Sequence, residues 1–322
     1  MNKSILFQIL VSIFWATLAG AAHAQSWPVK PVRVLIPFAP GGGTDIQGRL
    51  LGRKFYESMG QTFVIENRAG ASGLIGAELI ARSPADGYNI LFTTASLSVN
   101  VSLYKKIAFD PVKDLMPVSW ISSVPLVLVV HPSVPVKSAQ ELVALTKRQK
   151  EGLNGASNGA GTTSHLSLEM LKQFAGAKLE HIAYKGGGPA IAAMVSGEVD
   201  FQFATALAAQ PFIKQGKVRP LAVTTAKRSG AFPELPTMAS IYPGFESDNW
   251  YAMFFPAGTP KEVVAKLNAE ILKALKAPDL RDFIIKEGGD PVGSTPEELA
   301  AYFKREVDKY AKIIKAGNIT AD

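Results

Sequence analysis

The sequence predicts an α/β protein of two lobes joined by two crossings of the chain, with a cleft between them. Three observations carry this. Short apolar runs alternate with amphipathic stretches, the pattern of parallel α/β units. The alternation runs from Val32 to Thr93 and restarts at Leu153. A strand, a Pro-rich turn and a helix also recur: Leu126–Pro132 leads to a helix near Ser138, and Trp250–Pro256 leads to a helix from Lys261. If each echo follows a crossing, residues 26–122 plus 250–322 form lobe one and 123–249 form lobe two.

Taken in order, the first element is a leader. Lys3 precedes an apolar stretch from Ile5 to Ala22, which meets Ala22-His23-Ala24, the small-x-small pattern of signal-peptidase cleavage. A mature protein starting near Gln25 is expected, exported to the periplasm. No later run is long enough to span a bilayer. Strands are expected at 32–37, 62–66 and 89–93, with helices at 46–56 and 73–81 between them. In the second half, strands at 153–156, 181–184 and 199–203 alternate with helices at 164–174 and 189–196.

Composition narrows the chemistry. The 322 residues contain no Cys, which removes thiol catalysis, Cys-ligated zinc and disulfides. The 34 Lys and Arg against 27 Asp and Glu leave a mild positive charge, attractive to anions in general. The basic residues are scattered, and their densest cluster, Lys147–Lys150, reads as a solvated helix end, so nucleic acid is not an expected partner. No metal and no cofactor are expected: His131, His165 and His181 have no ligand spacing, and neither a P-loop nor a Rossmann glycine pattern is present.

The candidate site lies where strands pass into helices. Phe38-Ala39-Pro40-Gly41-Gly42-Gly43-Thr44-Asp45 follows the first strand, Asn67–Gly73 with Ser72 the second, and Thr93–Ser96 the third. Ser157–His165 and Tyr184–Pro189 do the same in the second half. Glycines let backbone approach a ligand, and the free N–H groups at a helix start favour an anion. In parallel α/β sheets such junctions gather at the carboxyl ends of the strands. Five of them in two lobes suggest facing walls of hydroxyl and N–H donors for a small carboxylate. Asp45 or Thr44 is expected to cap its helix.

One motif speaks for an enzyme. Gly155-Ala156-Ser157-Asn158-Gly159 fits G-x-S-x-G between a strand and a helix. A serine hydrolase needs an acid and a His further on, and His165 is too local to serve. His181 would need Glu169 or Glu180 as its orienting acid. Ser157 reads better as a ligand donor or a cap, and no catalysis is expected. Trp250 reads as hinge packing, His131 as structural and Lys185 as solvated.

The segment from Val34 to Asp45 resembles the first-loop signature of the Bug/TctC-like substrate-binding proteins of tripartite tricarboxylate transport systems. Val64–Ala71, Ser83–Tyr88, Gly161–Leu166, Tyr184–Ala190 and Phe255–Pro260 resemble the same family in the same order. Ala39 departs from the Pro often found there. The resemblance implies the periplasmic binding protein architecture, type II-like, with two crossover strands. It implies a solute-binding protein that hands a mono-, di- or tricarboxylate, aromatic ones included, to membrane permease subunits. By that likeness Phe38, Gly42, Gly43, Thr44 and Asp45 line one wall and Ser157, Gly161, Thr162, Thr163 and His165 the other; Ala39 is added to the first wall from its place in the loop, and a soluble mature monomer is expected. Ser72, Thr94 and Ser96, and Tyr184 and Gly186, stand nearby. A ligand carrier for a sensor would read the same way.

Overall fold

A computed structural model describes residues 27–41, 43–104 and 106–320. The expected leader, residues 1–24, and Gly42 of the first loop lie outside the described residues. The chain begins with β1 (Val32–Ile36), α1 (Gly43–Met59), β2 (Phe63–Asn67), α2 (Leu74–Ala81), β3 (Asn89–Thr94), α3 (Ser96–Leu103) and a short α4 (Pro111–Asp114). β1 pairs in parallel with β2 on one side and β3 on the other. Its residues are buried except for half-buried Arg33, whose Nε donates to Glu66 on β2 at 2.7 Å. A near-continuous apolar run is what a strand covered on both faces requires.

β4 (Leu115–Val130) follows and is 16 residues long, where the sequence suggested only its second half. After it come α5 (Ala139–Arg148), β5 (Leu153–Ser157), α6 (Thr163–Ala175), β6 (Leu179–Ala183), α7 (Gly187–Ser196), β7 (Phe201–Thr205), α8 (Ala206–Lys214), β8 (Arg219–Val223) and short α9 (Met238–Ile241). β9 (Asp248–Pro256), α10 (Lys261–Ala274), α11 (Pro278–Lys286), β10 (Asp290–Pro291) and α12 (Pro296–Gly317) complete it.

The strands run β2-β1-β3-β9-β4-β7-β5-β6, with β8 and β10 also on β4. β4 is what makes two lobes from this order. Its first part, Leu115–Pro125, pairs antiparallel with β9, and its second part, Leu126–Val130, pairs with β7 and β8. The strand therefore leaves one sheet and enters the other at Pro125-Leu126. The chain returns between Val223 and Asp248. Thr224 holds that return against the first crossing: its Oγ1 accepts from Leu126 N at 3.0 Å and its N–H donates to Leu126 O at 3.0 Å. The architecture is the two-lobed α/β fold of periplasmic binding proteins.

Each lobe carries its own core. Val34, Ile36, Phe92, Met253 and Phe255 belong to one cluster in the first lobe, and Leu128, Val130, Leu166, Phe201 and Phe203 to one in the second. Helix α12 serves both. Its first turns bury Leu299 and Phe303 beside Trp250, and its last turns bury Tyr310, Ile313 and Ile314 in the second lobe's cluster. A capping box at Thr295 and Glu298 starts this helix. Among the described residues no helix is long and apolar enough to cross a membrane.

Candidate ligand cleft

The first wall is the turn from β1 into α1. Gly41 has φ +86°, a left-handed conformation that glycine adopts without strain. Its N–H donates to Asp45 Oδ2 at 3.0 Å, and Arg49 Nε donates to the same oxygen at 3.1 Å. Asp45 thus ties the preceding loop to the helix. Burial raises its pKa, but the hydrogen bonds from Arg49, Gly41 and Asn67 outweigh that and hold it low. Asn67 Nδ2, at the end of β2, donates to Phe38 O at 3.1 Å. Thr44 is buried in the first turn of α1, Phe38 is half-buried and Ala39 is exposed. At the end of β3, Thr94 Oγ1 accepts from Ser96 N at 3.4 Å as α3 begins.

The second wall is the turn from β5 into α6. Thr162 caps α6: its Oγ1 accepts from His165 N at 3.4 Å and donates to Gly159 O at 2.7 Å. His165 Nδ1 accepts from Gly161 N at 3.2 Å. Its ring stacks on His181, with centroids 4.0 Å apart and planes 10° apart. His181 Nε2 meets Ser157 Oγ at 2.6 Å, and that oxygen accepts from Gly159 N at 3.1 Å. The two imidazoles and one hydroxyl therefore hold the loop from behind. Burial lowers the pKa of both rings to about 4, assisted at His165 by Lys172 and at His181 chiefly by His165. Both rings are neutral at pH 7. Gly186, with φ +112°, donates to Asn158 O at 3.0 Å, which sets the third turn of this lobe beside the second.

The walls touch. Ser72 Oγ, from the Ala71–Gly73 turn after β2, donates to Ala160 O at 2.7 Å. Asn100 Nδ2 on α3 donates to Ser72 O at 2.9 Å. A Cβ on Gly161 would stand 2.7 Å from Asn100 Oδ1 and 2.8 Å from Leu103, so only glycine fits where the lobes meet. Ala71 and Ser72 have φ +45° and +51°, a costly backbone for residues other than glycine. At the base of the cleft β9 outruns β3, whose last pair is Thr94 with Tyr251. Asp248 ends up between the lobes, where Ser123 Oγ donates to its Oδ2 at 2.9 Å. Burial pushes its carboxyl up to about 7.

Residues 48–319 match the family described as the tripartite tricarboxylate transporter family receptor, TctC. This chain belongs to that family. Protein BugT of Bordetella pertussis is 35% identical over 320 residues, 98% of each chain. The structure of the periplasmic binding protein BugD has a TM-score of 0.82 at 34% identity, over 91% of this chain and 99% of that one. The Rhodopseudomonas palustris protein Rpa4515 with adipate gives 0.84 at 34% identity, covering 91% and 99%. MatC from the same organism, with bound malate, gives 0.80 at 31% identity, covering 89% and 100%.

In this member of the family the expected residues divide by their place in the cleft. Gly43, Thr44, Asp45, Thr94 and Ser96 stand on the first wall, and Gly161, Thr162, Thr163 and Gly186 on the second. Ser72 bridges the two. Ser157, read as a ligand donor or a cap, and His165 hydrogen-bond within their own loop, through Gly159 N to Ser157 Oγ and Gly161 N to His165 Nδ1. Tyr184 is turned aside, its OH donating to Glu198 at 2.8 Å. The sequence reading missed Asn158, whose Oδ1 accepts from buried Gln202 at 3.1 Å, and Asn100. It also missed Glu287, whose Oε1 would stand 2.6 Å from a Cβ on Gly43. Asn158 lay within a motif already in view. Asn100 and Glu287 lie in segments with no motif.

Proposed function

We propose that this protein captures a small organic carboxylate outside the cytoplasmic membrane and delivers it to the permease subunits of a tripartite transporter. The single observation that carries this is the pair of glycine-bearing helix starts, at Gly43 and Thr163, on facing lobes held 2.7 Å apart at Ser72 and Ala160. The first N–H groups of a helix have no intrahelical partner and carry the positive end of the helix dipole, the arrangement that holds an anion without a full buried cation. The relatives bound to adipate and malate support the ligand class, and the family supports the transport role. Lobe one is proposed as 26–122 plus 250–322 and lobe two as 123–249, with the end of α12 strapped onto lobe two. Export by the leader, cleaved near Gln25, belongs to the same reading.

A thermal-shift screen against mono-, di- and tricarboxylates, aromatic ones included, tests this. Stabilisation by at least one acid is expected. Stabilisation by a neutral sugar alone would sink the reading. A pull-down with solubilised membranes separates a permease partner from a sensor.

The contact of Ser157 Oγ with His181 Nε2 favours a second reading, an exported hydrolase. Three features weigh against it. The hydroxyl is 0% exposed, the imidazole is a weak base with a pKa of about 4, and no carboxylate hydrogen-bonds to His181 among the described residues. Loss of turnover of an activated ester in Ser157→Ala, with carboxylate binding retained, would establish the rival.

A further inference from the structure

Glu287 follows α11 and is 2% exposed, an unusual place for an acid whose carboxyl has Gln47 as its only hydrogen-bonding neighbour among the described residues. Its Oε2 accepts from Gln47 Nε2 at 3.3 Å, and Gln47 Oε1 in turn accepts from Ser122 Oγ on β4 at 3.1 Å. Its Oε1 lies against Gly43, the first residue of α1, where an added Cβ would also stand 3.0 Å from Tyr251 OH. The carboxyl is therefore seated against the helix start that forms the first wall.

Among the described residues, the surrounding elements place no neutralising charge against it. On α1, Asp45 and Arg49 pair with each other at 2.9 Å. On β9 the titratable groups are Tyr251, whose OH accepts from Asn249 Nδ2 at 3.2 Å, and Asp248, which is bound to Ser123. Lys286, the last residue of α11, is exposed. Beyond Gly288, the neighbouring loop contributes Ser229 Oγ and apolar Ala231 and Phe232.

An ionised Glu287 would contend with a bound carboxylate for the positive end of the same helix. A neutral Glu287 would not, and its O–H is a donor. Resting on the carboxylate-capture reading above, we propose that Glu287 is a titratable member of the anion site, and that the ligand binds only to the form in which Glu287 carries its proton. Above the titration point, capture takes one proton from solvent onto Glu287. No bond in the ligand is made or broken.

The environment places the titration in a useful range. Burial raises the carboxyl to about 7, with the Gln47 hydrogen bond pulling the other way. If only the protonated form binds, the dissociation constant rises about 25-fold from pH 6.5 to 8.5. Calorimetry with adipate and with malate, repeated in buffers of different ionisation enthalpy, measures both affinity and proton uptake. The expected uptake is nearly one proton per ligand at pH 8.5 and about a quarter at pH 6.5. Glu287→Gln keeps a neutral donor, so its affinity at pH 8.5 should match the native value at pH 6.5, with the uptake gone. Gln47→Leu removes a hydrogen bond that favours the ionised form, so it should move the midpoint upward; this covers the case in which Glu287→Gln does not fold.

Binding of either probe without pH slope or uptake overturns the proposal and leaves carboxylate capture intact. Uptake that survives in Glu287→Gln and disappears in Asp248→Asn also overturns it, by moving the proton to the cleft base. Failure of every carboxylate to bind at pH 6 removes the underlying reading as well.

Discussion

Gly43 is where a single atom decides the geometry of the site. A Cβ there would stand 2.6 Å from a buried carboxyl and 3.0 Å from a buried phenol, so Gly43→Ala must push the loop, Glu287 or Tyr251 aside. Overpacking of this kind costs about 1–3 kcal/mol. The displaced helix start should also lose anion contacts worth about 1.5–3 kcal/mol each, one to two decades of affinity. Calorimetry and melting on the same variant check both, and native affinity would take this loop out of the site.

The buried titratable groups give opposite pH signatures. The histidine pair is depressed from about 6.5 to about 4. The unfolded chain therefore binds more protons within that window, and stability falls as pH drops from 6.5 to 4. The more buried ring, His165, carried through the whole window contributes on the order of 3 kcal/mol. Glu287 is raised from about 4.5 to about 7. The folded state then holds the extra proton, and stability falls as pH rises across that range. Glu287→Gln should melt several degrees above the native protein at pH 8 and level with it at pH 4. A lower melting point at pH 8 would contradict the burial argument.

How much of this the sequence carried differs residue by residue. Gly161 and Thr162 were singled out as loop residues, and the structure gives them a positive φ and a helix cap, both local properties. Ser157 and His165 lie in the expected loop, and both side chains hydrogen-bond within it. Strand-to-helix position says that a residue is near a ligand, but not whether its side chain points to the cleft or into the support behind. Glu287 was invisible, because its partner Gln47 is 240 residues away and neither belongs to a motif.

At the scale of elements, the turn Ala71–Gly73 and helix α3 act as one side of a latch and the Gly159–Gly161 loop as the other. Two residues in left-handed conformation persist there only because the surroundings hold them, here Asn100 Nδ2 on Ser72 O and Ala160 O on Ser72 Oγ. Ser72→Ala removes one cross-lobe hydrogen bond of about 0.5–1.5 kcal/mol, so affinity should fall roughly 2- to 10-fold while melting of the free protein changes little. Unchanged affinity would mean that capture does not depend on this contact. Most strands and helices were legible from their period, within a few residues at each end. The exceptions have physical causes. The first half of β4 is broken by Pro117 and by ladder irregularities near Ser119 and Ser122, so it lacks a clean strand pattern. β8 contains Pro220, which sits at a register shift against β4, the kind of position where a strand tolerates proline.

At the scale of the whole molecule, the lobes are linked by β4 at Pro125-Leu126, by the return at Thr224–Ser247, and by α12. The last was not foreseen, because an amphipathic helix announces that it has an apolar face and not how many cores that face covers. Tyr310 and Ile313 hold α12 onto lobe two, so Ile313→Ala should cost about 2–5 kcal/mol and loosen that lobe selectively, which amide exchange over 153–223 would register. The central feature is an anion gripped between two helix starts. Its most direct test is calorimetry at pH 6.5 with adipate and malate, each set beside its uncharged diamide. At least one acid should bind, and its diamide, matched in shape but without charge, should bind at least about a hundredfold more weakly. Equal affinity for acid and diamide, or binding of a diamide alone, would contradict it.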